Sequence, residues 1–321
     1  MNALLICHNY EGRYNVGNHH FRLELASRFD NSVFYGPGYR SFEKFGAKDI
    51  VSVLKPDVIF FMFPTRDYER EEEYLMVDYG SYDGLKVLYD TDSQSSIYSR
   101  CKFCNENGVD HVFLANNYKF LDDHREMMAG KDTKVHWLPF GVDTDFFTDL
   151  GKERDREVLF LGCTNELHYL NRIYMVAVMK RAFGARFFFN PSNEINNQKY
   201  IDILNRYKVF ASAGDRYQGF FMKYLEVMAC GCLLVSQYSP TFEKLGLVDG
   251  EHLVLYNSFN ELVDKTWHYL GSREERESIA KRGREEVLRK HTWAHRVDEM
   301  MEILYEEEKD TEEEGHREER E

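Results

Sequence analysis

Lys223 and Glu226 stand three residues apart, the spacing that places both side chains on one face of a helix. Such a pair either neutralises itself as a surface ion pair or divides its labour, the ammonium meeting an anion and the carboxylate accepting from hydroxyls. Asp90-Thr91-Asp92 directly follows the apolar run Lys86–Tyr89. Both carboxylates would project from a strand end, where one could orient a hydroxyl or take its proton; the alternative is that they cap the helix that follows. Asp143-Thr144-Asp145 repeats the spacing, so the pattern alone is cheap. His19 and His20 open the first helical stretch beside a loop holding Gly12 and Gly17. That loop either offers backbone N–H groups to an anion or is an ordinary connection, and the histidines either touch a ligand or merely begin a helix. The glycines have P-loop spacing, but Asn18-His19 occupies the place of the required lysine and hydroxyl, which excludes that class of ATPase.

Other chemistries are excluded in the same way. No G-x-G-x-x-G follows the first strand of either half, which argues against a nicotinamide-linked oxidoreductase. Cys101-x-x-Cys104 lacks a second pair at zinc-ribbon spacing. Reduced thiols are expected there, and also at Cys7, Cys163, Cys230 and Cys232, which lie in or beside apolar segments. No metal site is expected.

The elements that must position these side chains alternate along the chain. Strands are expected at Ala3–Cys7, Ser32–Tyr35, Val58–Phe63, Lys86–Tyr89, His111–Ala115 and Lys134–Trp137. Helical patterns lie between most of them, at Asn18–Arg28, Glu69–Val77, Ser95–Asn107 and Asn117–Ala129. Leu138-Pro139-Phe140-Gly141 ends this set, and Leu150–Glu157 reads as a charged linker. The alternation then restarts with strands Val158–Leu161, Ala185–Phe189, Val209–Ala213, Leu233–Ser236 and Leu253–Tyr256, and closes on three helical stretches from Phe259 to Glu307. Strand, helix, strand at this spacing implies an α/β chain of two Rossmann-like, doubly wound parallel sheets. The expected division is residues 1–150, residues 151–305, and an acidic, disordered tail from Glu306 to Glu321. The strand C-termini of both sheets would face a shared cleft, where ligands of open α/β sheets bind.

Charge and hydropathy narrow the partners. The 321 residues carry a net charge of −14, half of it in the last sixteen residues. The body lacks the basic stripe of a general nucleic-acid binder. The longest strongly apolar run, Val58–Phe63, is far shorter than the roughly 20 residues of a membrane span. The polar turn at His8 excludes a signal peptide. A cytoplasmic protein, or one peripheral at the inner membrane face, is expected.

The stretch Gln218-Gly-Phe-Phe-Met-Lys-Tyr-Leu-Glu-Val-Met-Ala-Cys-Gly-Cys-Leu-Leu-Val-Ser236 opens on a polar residue and glycine, carries a glutamate eight positions later, and closes on Cys230-Gly231 before an apolar strand. It resembles the nucleotide-sugar signature of group-1 glycosyltransferases with the GT-B fold, in the branch that includes CgeB-like proteins. Leu138-Pro-Phe-Gly-Val-Asp-Thr-Asp-Phe-Phe147 resembles the interdomain segment of that family, and Phe160-Leu-Gly-Cys-Thr164 its phosphate-side loop. Val248–Tyr256 and Arg282…Trp293 match its closing elements. The resemblance implies transfer of a sugar, with retention of configuration, from a nucleoside-diphosphate-sugar to an acceptor that is a saccharide, lipid, protein or modified nucleic acid. It assigns Glu226 to the donor ribose and places Gln218 where the family has a glutamate against the transferred sugar. Lys223 and Arg172 would meet the diphosphate, with Gly162, Thr164 and Gly219 lining the donor loops and Tyr217 and Phe220 flanking them. Asp92 and His19, with Gln218, are the residues expected at the reacting centre. In the other large glycosyltransferase fold, GT-A, a D-x-D such as Asp90–Asp92 holds a metal; two sheets with the donor signature in the second imply a metal-free site and no cofactor. Epimerase or hydrolase chemistry on the same fold, or a non-catalytic sugar-nucleotide-binding descendant, are the alternatives.

Overall fold

The computed structural model describes residues 1–9, 16–62, 79–92, 97–116, 118–128, 132–191, 195, 197–215 and 217–318. Gly12 and the helix expected at Glu69–Val77 lie outside them.

Among the described residues eleven strands form two sheets. The first contains β1 (Asn2–Ile6), β2 (Asn31–Tyr35), β3 (Val58–Phe61), β4 (Leu85–Asp90), β5 (His111–Leu114) and β6 (Lys134–Trp137), in the order β2-β1-β3-β4-β5-β6. The second contains β7 (Arg156–Leu161), β8 (Phe187–Asn190), β9 (Tyr207–Ser212), β10 (Leu233–Gln237) and β11 (Val254–Tyr256), in the order β11-β10-β9-β7-β8. Every paired strand is parallel. Parallel strands covered on both faces read as unbroken apolar runs, and Val58-Ile59-Phe60-Phe61 is buried throughout. Alternation decides the face. Leu5, Phe60, Tyr89 and Phe113 pack with Phe21 in a core that continues into the second sheet. Leu4, Ile59, Phe61 and Leu88 pack with Phe103 on the opposite face.

The expected doubly wound α/β fold is therefore present, with strand ends shifted by one or two residues. Three short helices that periodicity misses, Arg40–Lys44, Ala47–Leu54 and Pro240–Lys244, fill connections after strands. Helices of five to eight residues hold too few apolar positions to announce themselves.

The end of the chain departs from the expected organisation. Val142 donates its N–H to the His291 carbonyl at 3.0 Å and accepts from Trp293 at 3.2 Å. The helix Trp293–Glu318 then lies on the first half, with the Trp293 ring 5.0 Å from Phe21 and Asp298 2.8 Å from Arg28. The stretch following the second sheet in sequence thus returns to the first. That helix also runs through most of the acidic tail expected to be disordered. Glu and Lys are good helix formers, and each like-charge pair one turn apart costs only about 0.2–0.5 kcal/mol.

Candidate active site

The site is built where β7 and β9 end. Lys223, in the first turn of the helix Met222–Ala229, donates its Nζ to the Leu161 carbonyl at 2.6 Å. Arg172, in the first turn of the helix Leu170–Phe183, donates Nη1 to the Cys163 carbonyl at 3.3 Å and Nε to that of Ala213 at 3.2 Å. Its guanidinium lies 3.9 Å from the centroid of the Tyr169 ring and 4.5 Å from that of Phe221. The remaining nitrogen, Nη2, is buried without a hydrogen-bond partner, an arrangement that costs about 1–3 kcal/mol unless an acceptor arrives. Burial and the neighbouring Arg172 charge hold the Lys223 ammonium well below the ordinary lysine value of 10.5.

Glu226 sits one turn further along the same helix and is buried. Its Oε2 accepts the Tyr200 hydroxyl at 2.9 Å. Burial raises this carboxyl, against the opposing pull of Tyr200, Lys223 and His20. Among the described residues Lys223 and Glu226 form no ion pair with each other. Lys223 is half-buried on the Leu161 carbonyl and Glu226 is buried against Tyr200, so the surface-pair reading of this spacing fails.

Gly162 makes the space for the lysine head. A Cβ there would stand 2.7 Å from Lys223 Nζ and 3.2 Å from the Phe160 ring. Thr164 is half-buried on the same loop. Cys163 is half-buried too, not part of the core as its apolar surroundings suggested, because β7 ends at Leu161 and the chain turns out toward the cleft.

The loop before the helix is held by Asp215, a buried carboxylate that accepts from Tyr217 N–H at 3.0 Å and Gly219 N–H at 2.9 Å. Between them Gln218 adopts a left-handed φ of 58°, which costs a residue with a side chain about 1–3 kcal/mol and is offset by these bonds. The Gln218 carbonyl accepts from Ser239 Oγ at 2.8 Å. Its side-chain oxygen accepts from Lys119 Nζ at 2.9 Å, across from the first half. A Cβ on Gly219 would fall 2.2 Å from Asn116 Oδ1, and Phe220 N–H donates to the Asn116 carbonyl at 3.1 Å. The loop is therefore docked against the end of β5. Phe220 is fully buried against Tyr224 and Phe242; it belongs to the core and does not flank the site. Tyr217 meets Phe120 edge-on at 5.6 Å.

This is two sheets, each parallel throughout, meeting at their strand C-termini, with a buried guanidinium, a half-buried ammonium and a buried carboxylate in the second half. Sucrose-phosphate synthase from Thermosynechococcus elongatus superposes with a TM-score of 0.63 at 10% identity, covering 95% of this chain and 98% of that one. HepE from Anabaena, in complex with UDP and glucose, gives 0.62 at 12% identity over 95% and 100%. A glycosyltransferase from Rickettsia africae gives 0.58 at 12% identity over 95% and 98%. The fold is GT-B. Residues 174–302 of this GT-B chain match a family model described as glycosyl transferase-like, in accord with the group-1 resemblance of its signature. No curated protein sequence matches the chain, and none of these findings bears on the CgeB-like branch.

The first half of the GT-B cleft sorts the remaining candidates. Asp90 does not project into the cleft as expected. It is fully buried, its Oδ2 lies 2.8 Å from Arg100 Nε, and its Oδ1 accepts from Asp92 N–H at 2.9 Å. Burial pushes its carboxyl up while Arg100 pulls it down. Asp90 is a structural carboxylate, because the helix Ile97–Asn107 brings Arg100 back over the end of β4. Asp92 is half-exposed, and its charge reaches Tyr169 across the cleft, adding with Asp215 to the burial that raises that phenol. Of the two histidines, it is His20 whose Nδ1 meets Asp143 Oδ2 at 2.8 Å and whose charge reaches Glu226. Burial raises the Asp143 carboxyl, but His20 and the N–H groups of Phe146 and Asp145 bring it below the usual range. His19 lies beside His20, ring centroids 6.1 Å apart. Sequence reasoning missed Tyr200, Asp215, Lys119 and the His20–Asp143 pair. Tyr200, Lys119 and the His20–Asp143 pair act through partners distant in sequence, so no local spacing marks them; Asp215 holds its own loop two and four residues on, a local signal that was overlooked.

Proposed function

We propose that the protein transfers a sugar from a nucleoside-diphosphate-sugar to an acceptor hydroxyl without a metal ion. The observation that supports this best is the pair of cations, half-buried Lys223 and buried Arg172, anchored on the Leu161 and Cys163 carbonyls beside the buried carboxylate Glu226. Glu226, held by Tyr200, would accept from the ribose hydroxyls. The diphosphate would take the free protons of Lys223, the unpartnered Nη2 of Arg172 and the N-terminus of the helix Met222–Ala229. As the bond from the anomeric carbon to the diphosphate oxygen breaks, its electron pair goes to that oxygen, where these cations stabilise the growing charge. The anomeric carbon bonds to the acceptor oxygen, whose proton passes to a base in the first half, Asp92 in our reading. Gln218 would hydrogen-bond the sugar, with Gly162 and Gly219 leaving room for the loops that hold it, and His19 and Thr164 close by. Solved HepE structures hold UDP and UDP-glucose, which makes UDP-sugars the first donors to try. No described helix is long and apolar enough to cross a membrane; we place the protein in the cytoplasm or at its membrane face.

One observation favours a second reading. Gln218 is a neutral amide already engaged by Lys119, as a hydrolase, an epimerase or a non-catalytic binder would tolerate. Incubation with a panel of nucleotide sugars, with and without candidate saccharide and lipid acceptors, separates them. Nucleoside diphosphate released only with acceptor supports transfer. Release without acceptor means hydrolysis, sugar interconversion means epimerisation, and binding without turnover overturns the enzyme reading.

A further inference from the structure

A cavity of about 340 Å³ lies where the two halves join, away from Lys223 and Glu226. Trp137 and Pro139, at the end of β6, form one wall; Lys244 and Leu245, at the end of the helix Pro240–Lys244, form another. The third wall is the junction of the last two helices, with Lys290, His291, Arg296 and Glu299. Three permanent cations thus line the cavity against one carboxylate, in a chain whose net charge is −14. That carboxylate is already committed, with Glu299 Oε2 lying 3.3 Å from Arg296 Nη1.

Two buried donors in these walls lack acceptors. His291 is 3% exposed, and its Nδ1 stands 2.7 Å from Arg296 Nη2. A guanidinium can only donate, so Nδ1 is the acceptor and the neutral ring carries its proton on Nε2. Burial and the Arg296 charge keep the ring neutral by pulling its pKa down to about 3. Nε2 has no hydrogen-bond partner, and neither has the buried indole nitrogen of Trp137. Lys244 lies 4.6 Å over the Tyr118 ring and Lys290 sits 3.1 Å from Glu286, so each ammonium retains further donors. The N-terminus of the helix Trp293–Glu318 adds its positive end to the same junction.

We propose that this cavity binds a small phosphomonoester, with the phosphate on Lys244, Lys290 and the His291 N–H and the organic body against Trp137, Pro139 and Leu245. Its volume is in the range of small-molecule sites, about 300–1,000 Å³. The helix that carries Lys244 is also tied to the loop at Gln218. Ser239, which caps the helix Pro240–Lys244, gives its hydroxyl to the Gln218 carbonyl.

The test is calorimetric titration of the full chain with phenyl phosphate, on the wild type, on Lys223→Ala and on the double variant Lys244→Ala/Lys290→Ala. Both lysines of the double variant are exposed, so its fold should survive. Binding that persists in Lys223→Ala and weakens at least about tenfold in the double variant is the expected result, since each lysine supplies a charge-assisted hydrogen bond. Absence of binding to the wild type overturns the proposal. So does unchanged affinity in the double variant, or loss of binding in Lys223→Ala, which would place the anion in the donor site.

Discussion

The Tyr200 hydroxyl donates to Glu226 at 2.9 Å from a helix 26 residues earlier in the chain. This bond leaves one carboxylate oxygen for a ligand while fixing the direction in which it points. Tyr200→Phe should therefore weaken binding of the nucleoside diphosphate several-fold, and Glu226→Ala at least about tenfold, since hydrogen bonds to a charged group are worth about 1.5–3 kcal/mol. Calorimetry with UDP checks both. Equal affinity in the wild type and Glu226→Ala would remove Glu226 from the donor site.

The lowered Lys223 ammonium has opposite consequences for turnover and for stability. Burial and Arg172 make this proton easier to lose in the folded protein than in the unfolded chain, where the value is 10.5. As pH rises toward that value the folded site loses its cation, so kcat/KM should fall at a pH where ordinary lysines are still charged. Over the same window the unfolded state binds more protons, so stability should rise. A bound diphosphate favours the charged form and should move the limb upward in kcat. Lys223→Ala should lower turnover about 10²–10³-fold. An alkaline limb that persists in Lys223→Ala would assign it to another group.

Gly162→Ala tests the space kept for the lysine head. The added methyl would stand 2.7 Å from Nζ, so the ammonium must swing off the Leu161 carbonyl. Turnover should fall at least about tenfold, the scale of one misplaced electrostatic stabiliser, and the thermal midpoint should fall as well, because Gly162 holds a φ of +157° that a residue with a side chain rarely adopts. A large loss of stability with normal residual turnover would contradict this.

Asp90 and Asp92 should part company. Asp90→Ala leaves Arg100 buried without its carboxylate, a loss of about 3–5 kcal/mol that chemical denaturation would show. Asp92→Asn should fold normally, keep its affinity for UDP and lose acceptor-dependent turnover. EDTA should leave the activity of the wild type largely intact. Full loss in EDTA, restored by Mn²⁺, would overturn the metal-free reading.

The strands were legible because buried parallel strands need apolar residues on both faces, and Val58-Ile59-Phe60-Phe61 or Leu233-Leu234-Val235 can satisfy little else. The segment Gln218–Gly231 was legible for a related reason. Gln218, Lys223, Glu226 and Gly231 lie on one loop, helix and turn, so their relative placement is set by local geometry alone. Asp90 and Asp92 looked alike in sequence, since both sit at the end of one strand. Only the return of Arg100 on the next helix decided that one is buried beneath an ion pair while the other faces the cleft. The same holds for Lys119 against Gln218, 99 residues apart, and for the closing helix, whose amphipathic pattern says that it must cover something but not which half. Periodicity and local motifs report on neighbours along the chain. Which carboxylate is paired, which thiol leaves the core and which surface the last helix covers depend on contacts between segments far apart, and those were decided by tertiary packing.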